Sequence, residues 1–203
     1  MNKIPLMVDL SNKTVLIIGG GTVAERRAKR IHKKCKSLKI ISPDVTAYIK
    51  DLVIRSNVSW IKKNCTPSDL SKQDIIIIAT NDPVVNQMVL KHAPTHTWVN
   101  ASHDAGKGHI DFPITLERGK LQIAISTGSS SPLLAKKIKK DLELTYTSNY
   151  ESYIEFLFHV RNLVKSSSFS KKRKHNILQS VVDQPIFDVE KQAEFLSKLK
   201  EQM

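Results

Sequence analysis

The residues best suited to chemistry in this 203-residue chain begin with a glycine turn, spaced Gly19-x-Gly21-x-x-Ala24. A glycine at the first position permits a tight turn out of a strand, and the second glycine lets the backbone approach a pyrophosphate. The small alanine lets the following helix pack closely on that strand. The spacing is typical of a dinucleotide site, in which the phosphates lie at a helix N-terminus.

The segments around the glycine turn support this interpretation. Residues 14–18 are apolar and mostly β-branched, which predicts a strand buried on both faces. Residues 22–34 are rich in Ala, Glu, Arg and Lys, which predicts a helix. Its first residues, Thr22 and Val23, would offer backbone N–H groups to the pyrophosphate. The alternative is a glycine turn that only permits close packing.

The adenosine ribose of a dinucleotide should lie where the second strand, predicted at residues 38–41, ends. An acidic side chain at this place usually accepts hydrogen bonds from the ribose hydroxyls. Here the strand is followed by Ser42, a candidate cofactor contact, and then by Asp44, which could accept such a bond or cap the next helix. Arg26 and Arg27 could meet a 2′-phosphate. The two arginines would favour NADP, whereas Ser42 and Asp44 favour NAD, and on balance the sequence favours NAD over NADP.

Strands and helices continue to alternate as far as about residue 100. The predicted elements are a helix at 44–56, a strand at 58–61, a strand at 74–80, a helix at 83–92 and a strand at 97–100. Such alternation indicates right-handed crossovers and a parallel, Rossmann-type α/β sheet, with the very apolar strand at 74–80 in its centre. Because ligands bind at the carboxyl ends of parallel strands, we expect Thr80 and Asn81 to contact the cofactor.

The pattern changes after about residue 110. Two strands are predicted at 111–114 and 121–125, with a turn at 117–120 between them, and helices follow from residue 133 onward with breaks at 166–168 and 184–185. We therefore predict a dinucleotide-binding domain, a dimerisation or linking segment and a small helical domain, at 1–113, 114–146 and 147–203.

The composition is that of a globular protein with an anionic partner. Hydrophobic residues make up 40% of the chain and charged residues 25%. No apolar run approaches the roughly 20 residues that span a bilayer, so we expect a cytoplasmic protein without membrane contact. The net charge of +13 attracts anions, but aromatic residues make up only 6% and no nucleic-acid-binding motif is present. We expect a small polyanionic ligand and no nucleic acid.

A further motif, Ser126-Thr127-Gly128 followed by Ser131-Pro132, precedes the lysine-rich helix predicted from residue 133. With the glycine turn, it makes residues 1–145 resemble the precorrin-2 dehydrogenase and sirohydrochlorin ferrochelatase family, which also forms the N-terminal part of sirohaem synthase. The other matching segments are 5–10, 15–27, 79–83 with Asn86, 99–100, 112–113, 123–125 and 133–135.

The resemblance implies that precorrin-2 loses a hydride to NAD and becomes sirohydrochlorin, into which some members then insert ferrous iron. It also implies a homodimer, with the middle segment forming much of the contact. The substrate carries eight carboxylates, which gives the positive charge of the chain a partner. The candidate substrate contacts are Arg118, Lys120, Ser126 and Thr127, although Arg118 and Lys120 could equally belong to a solvated turn.

The chain departs from the family pattern at one functional position. The family has an aspartate three residues after the asparagine that ends the fifth strand, whereas here Asn100 is followed by His103 at that position and by Asp104 next to it. Either residue could do the work of the aspartate, or one activity is lost. Iron insertion needs the pyrrole protons removed, whereas hydride transfer depends mainly on positioning. We therefore favour a dehydrogenase with His103 and Asp104 as catalytic candidates.

Neither the histidines nor the cysteines form a convincing metal site. His103 and His109 fit no ligand spacing, and Cys35 and Cys65 form no CxxC pair, so we expect no metal ligands. The alternative function is a dinucleotide-sensing regulatory module without turnover. The Ser-Thr-Gly motif and the basic second half favour the enzyme.

Overall fold

The computed structural model describes residues 3–102 and 106–203, and the chain divides into two compact units, Met1–Phe112 and Pro113–Met203. The strands of the first unit are β1 (Thr14–Ile18), β2 (Ser37–Ile41), β3 (Val58–Ile61), β4 (Ile75–Ile78) and β5 (Trp98–Ala101). Its α-helices are α1 (Thr22–Ile31), α2 (Ala47–Arg55) and α3 (Pro83–His92). A 3-10 turn at Pro67–Leu70, which the sequence did not predict, precedes β4.

The five strands form one parallel sheet in the order β3-β2-β1-β4-β5, which confirms the predicted Rossmann-type fold. The middle strand is β1, so the expectation that the strand at 74–80 is central was wrong. β4 lies beside β1, and all four of its residues are buried. A continuous apolar run indicates that a strand is buried on both faces of the sheet. Any interior strand of a parallel sheet can be buried in this way, so the run does not identify the middle strand.

Two hydrophobic cores, one on each face of the sheet, account for the uninterrupted apolar runs of β1 and β4. Val15 and Ile17 of β1 belong to the core that includes α1 and α2. Leu16 and Ile18 belong to the other core, with Val89 of α3. Because successive side chains of a strand point to opposite faces, every residue of β1 beyond Thr14 must be apolar.

The second unit begins with an antiparallel pair, β6 (Ile114–Arg118) and β7 (Leu121–Ile125). The predicted strand at 111–114 was misplaced, because Pro113 has no N–H to donate and the pairing starts after it. β6 runs on through Arg118, which reduces the predicted turn at 117–120 to Gly119, with a φ of +55°, and Lys120.

Four helices complete the second unit: α4 (Pro132–Thr145), α5 (Tyr150–Ser166), α6 (Lys171–Asp183) and α7 (Val189–Glu201). The last three share a core around Tyr153 and Phe156, and the Tyr153 hydroxyl donates to the Val181 carbonyl at 2.6 Å. The three-part division at 1–113, 114–146 and 147–203 stays a prediction. Within the described ranges, no helix is long and apolar enough to cross a membrane.

Asp74 ties β1 to β4 at the edge of the sheet opposite the glycine turn. Its Oδ2 accepts from the Thr14 backbone N–H at 2.8 Å and from Thr14 Oγ1 at 2.7 Å, and Lys13 Nζ lies 3.3 Å from Oδ1. These bonds, the backbone one foremost, lower the pKa of Asp74 to about 2. The folded state therefore favours the ionised carboxylate.

We predict that Asp74→Asn lowers the free energy of unfolding at pH 7 by roughly 1 kcal/mol or less, since solvent screens this partly exposed group. The folded pKa lies below the unfolded value, so the carboxylate stabilises fully above about pH 4 and loses this effect as the pH falls toward 2. Urea unfolding at several pH values measures both effects. Asp51→Asn, at an exposed helical ion pair, is the control. A difference between native and variant that does not shrink with falling pH contradicts the assignment.

Candidate cofactor site

Gly19 and Gly20 lie where a side chain would collide with the neighbouring strand ends. Gly19 has a φ of +113°, and a Cβ there would collide with the Ala79 carbonyl that follows β4. A Cβ at Gly20 would collide with the Asp44 carbonyl and would lie 2.9 Å from Ser42 Oγ, both beyond β2. The glycine turn is therefore packed between the ends of β2 and β4.

Gly21 lies in open space. It is the N-cap residue of α1, and nothing lies within 4 Å of the place its Cβ would take. In the described part of the chain, no side chain caps α1, so the first N–H groups, including those of Thr22 and Val23, have no side-chain acceptor. A helix N-terminus of this kind binds anions through its N–H groups and the positive end of its dipole. The residues present therefore fit a pyrophosphate.

Ser42 follows the end of β2, and its side chain lies next to Gly20 of the glycine turn. Its side chain is buried, and its carbonyl accepts a hydrogen bond from the Trp60 indole N–H at 3.0 Å. Trp60 belongs to β3, so this bond fixes the end of β2 to the neighbouring strand. The sequence did not assign Trp60 a role, because its acceptor is 18 residues away.

Asp44 is exposed and does not cap α2, so that alternative was wrong. The N-cap residue is Thr46, whose Oγ1 accepts from the Ile49 N–H at 3.4 Å. Asp44 instead pairs with Lys50 at 3.3 Å. The backbone N–H of Val45, followed by Lys50, holds the pKa of Asp44 below its usual range. Asp44 carries a negative charge at neutral pH, as an unshifted aspartate also would, and its backbone carbonyl lies next to the glycine turn.

Thr80 and Asn81 follow β4 at the same edge of the sheet. Thr80 Oγ1 accepts from the Asp82 N–H at 3.1 Å, and Asp82 caps α3 by accepting from the Val84 N–H at 2.8 Å. The Thr80 carbonyl accepts from Asn86 Nδ2 at 3.2 Å. The structure thus brings the glycine turn, Ser42 and Thr80 together where β1, β2 and β4 end, and their contact with the cofactor stays a prediction.

Arg118 and Lys120 make hydrogen bonds within the second unit. Arg118 Nε donates to the Tyr146 carbonyl at 2.9 Å, which fixes the guanidinium beside the end of α4. Lys120 pairs with Glu155 at 2.8 Å and lies 3.5 Å from the centre of the Phe158 ring. Their contact with substrate stays a prediction.

Ser126 and Thr127 shape the loop before α4. Ser126 Oγ accepts from the Gly128 N–H at 3.2 Å, and Thr127 Oγ1 bonds to the Ser131 carbonyl and N–H. Ser131 caps α4 through the Leu134 N–H. The serine and threonine side chains thus hold the start of α4, and their role toward substrate stays a prediction.

His103 and Asp104, the catalytic candidates, lie outside the described residues. The residues on either side of them are held by hydrogen bonds. Asn100 Nδ2 donates to the Ile110 carbonyl at 2.8 Å, and Ser102 Oγ donates to Asn100 Oδ1 at 3.0 Å. The catalytic roles of His103 and Asp104 stay predictions.

Three family models match consecutive parts of the chain: putative NAD(P)-binding at residues 6–114, sirohaem biosynthesis protein central at 118–143 and the SirC C-terminal domain at 150–195. The siroheme synthase of Blochmanniella pennsylvanica is 31% identical over 81% of this chain, which spans 35% of that longer protein.

Two comparisons extend over nearly the whole chain. The precorrin-2 dehydrogenase of Priestia megaterium is 36% identical over 96% of this chain and 97% of its own length. The solved structure of SirC, a precorrin-2 dehydrogenase, is 34% identical and matches 98% of this chain and 100% of that one with a TM-score of 0.85. The glycine turn and the open N-terminus of α1 lie inside the matched NAD(P)-binding region, and the chain belongs to the precorrin-2 dehydrogenase family.

Proposed function

We propose that this chain oxidises precorrin-2 to sirohydrochlorin with NAD, as a step of sirohaem biosynthesis. The observation that carries the proposal is the open N-terminus of α1 over Gly21, in a chain similar from end to end to a precorrin-2 dehydrogenase. A sensing module without turnover has no observation in its favour. The cytoplasmic location stays a prediction.

The chain binds and orients the cofactor in this reaction. When bound, the nicotinamide ring accepts the hydride. Gly21 and the first turn of α1 hold the pyrophosphate, and Ser42 lies on the side where the adenosine ribose would bind. Thr80 and Asn81 lie on the other side of the glycine turn, toward the nicotinamide half. Orientation of this kind supplies a large part of the rate of a hydride transfer.

The charge of Asp44 supports NAD over NADP. Its carboxylate is ionised at neutral pH, as an aspartate is even at its ordinary pKa, and it would repel a 2′-phosphate bound beside the end of β2. Lys50, 3.3 Å away, offsets part of this repulsion. The expected preference for NAD over NADP is therefore modest, and a single substitution at Asp44 should change it.

The oxidation removes a hydride to NAD and a proton to a base. His103 and Asp104 are the candidates for that base. The substrate carboxylates would bind to basic and hydroxyl side chains of the second unit, for which Arg118, Ser126 and Lys120 are candidates. The exposed ion pair of Lys120 with Glu155 costs little to exchange for a substrate carboxylate.

A homodimer is part of the proposal. Leu133 and Leu144 of α4 expose 77% and 76% of their surface, and apolar side chains near the start of the chain, such as Ile4, are also exposed. Exposed apolar surface of this kind is typical of protein interfaces. We expect a second copy of the chain to cover α4, in the middle segment that the sequence assigned to dimerisation.

We predict that Gly21→Ala weakens NAD binding about tenfold or more without unfolding the protein. Gly21 has a φ of −80°, which alanine adopts readily, and its Cβ would enter the space assigned to the pyrophosphate. Calorimetric titration gives the dissociation constant, and thermal unfolding gives the stability. Lys33→Ala, which removes a positive charge beyond the opposite end of α1, is the control. Undiminished NAD affinity of Gly21→Ala would show that the phosphates bind elsewhere.

We predict that Asp44→Asn narrows the preference for NAD over NADP by roughly fivefold to tenfold, since it removes one charge close to the 2′-position. The ratio of the two dissociation constants is the quantity to measure. Asp51→Asn removes an equal charge from α2 and should leave the ratio unchanged. If Asp44→Asn leaves the ratio of the NAD and NADP dissociation constants unchanged, the 2′-hydroxyl of the adenosine ribose does not bind beside Asp44.

The proposed activity is tested with anaerobic precorrin-2 and NAD, by following sirohydrochlorin formation in the absorption spectrum. We expect turnover by the native chain. Loss of the residue that accepts the proton should lower kcat about 100-fold, so His103→Ala and Asp104→Ala identify it. If the native chain binds NAD but forms no sirohydrochlorin, the enzymatic proposal is wrong and the sensing module takes its place.

A further inference from the structure

Asn86 is a polar side chain on the buried face of α3. It is 4% exposed, and its Nδ2 donates to the Thr80 carbonyl at 3.2 Å. Its Oδ1 is also buried and has no hydrogen-bond partner among the described residues. An unpaired buried amide oxygen costs free energy that an apolar side chain would not. Packing of α3 on the sheet therefore does not account for an asparagine here.

The carbonyl that Asn86 holds belongs to the turn after β4, which touches the glycine turn. A Cβ at Gly19 would lie 3.1 Å from Thr80 N and would collide with the carbonyl before it. With the pyrophosphate at Gly21 and the adenosine ribose toward Ser42, the nicotinamide half extends toward the end of β4. Thr80 thus lies where that half of the cofactor would bind.

Asn86 holds this turn from one side and Asp82 holds it from the other. Asp82 accepts from the first N–H groups of α3, and its own N–H donates to Thr80 Oγ1. The Thr80 carbonyl is bonded only by Asn86 among the side chains that the structure describes. Without the Asn86 amide, Asp82 would still cap α3, but the Thr80 carbonyl would lose the hydrogen bond that holds it in place.

We propose that Asn86 is a positioning residue for the nicotinamide half of the cofactor, acting through the Thr80 carbonyl. This inference rests on the proposed function. It differs from a purely structural role in one respect: it predicts weaker binding of the whole dinucleotide and unchanged binding of a nucleotide that lacks the nicotinamide half.

The test uses two substitutions at Asn86. One places a carboxylate at this buried position, and the other places an apolar side chain there. Asn86→Asp keeps the shape but replaces the N–H donor with an acceptor facing the Thr80 carbonyl. Asn86→Leu also removes the donor, yet it removes the unpaired oxygen as well, so this variant should fold. Val89→Ala is the matched control, since Val89 is fully buried one turn further along α3.

NAD and ADP are titrated into each protein by calorimetry, alongside thermal unfolding. We expect both Asn86 variants to bind NAD about tenfold more weakly, because a Thr80 peptide no longer held by Asn86 must be ordered when the nicotinamide half binds, and ADP within twofold of native. Val89→Ala should unfold at a lower temperature and bind both nucleotides normally.

Two results overturn the inference alone: native NAD affinity in a folded Asn86→Leu variant, or equal weakening of NAD and ADP. If the native chain binds neither nucleotide, the proposed function fails and this inference fails with it. The native titration therefore separates the two failures.

Discussion

The close packing of the glycine turn against the ends of β2 and β4 is the constraint on which the rest of the site depends. Gly19 and Gly20 have no room for a Cβ, whereas Gly21 faces open space. The two crowded glycines fix the direction in which the chain leaves β1. That direction leaves the N-terminus of α1 at Gly21, beside open space, and a helix N-terminus of this kind is suited to binding an anion through its backbone N–H groups.

The sheet supports this turn because it is buried on both faces. β1 lies in the middle of the five strands, so the glycine turn emerges between two neighbours and not at an edge. Ser42 and Thr80 follow those neighbouring strands and so lie on either side of it. Separately from this site, the net charge of +13 suits a substrate that carries several carboxylates.

Local chemistry made the glycine turn predictable from the sequence, because only glycine tolerates the backbone of Gly19. Features set by distant partners were not predictable. The middle strand is β1 and not β4, because strand order depends on the assembled sheet. The bond from Asn86 to the turn after β4 likewise appears only once α3 is packed.

The most direct test of the central claim is the ¹H–¹⁵N correlation spectrum of the uniformly labelled protein, recorded as NAD is added. The backbone amides of Gly21, Thr22 and Val23 should show the largest shift changes, because they would donate to the pyrophosphate. Smaller changes should follow at Ser42 and Thr80. Changes confined to the second unit, with the α1 amides unmoved, would contradict this account of the site.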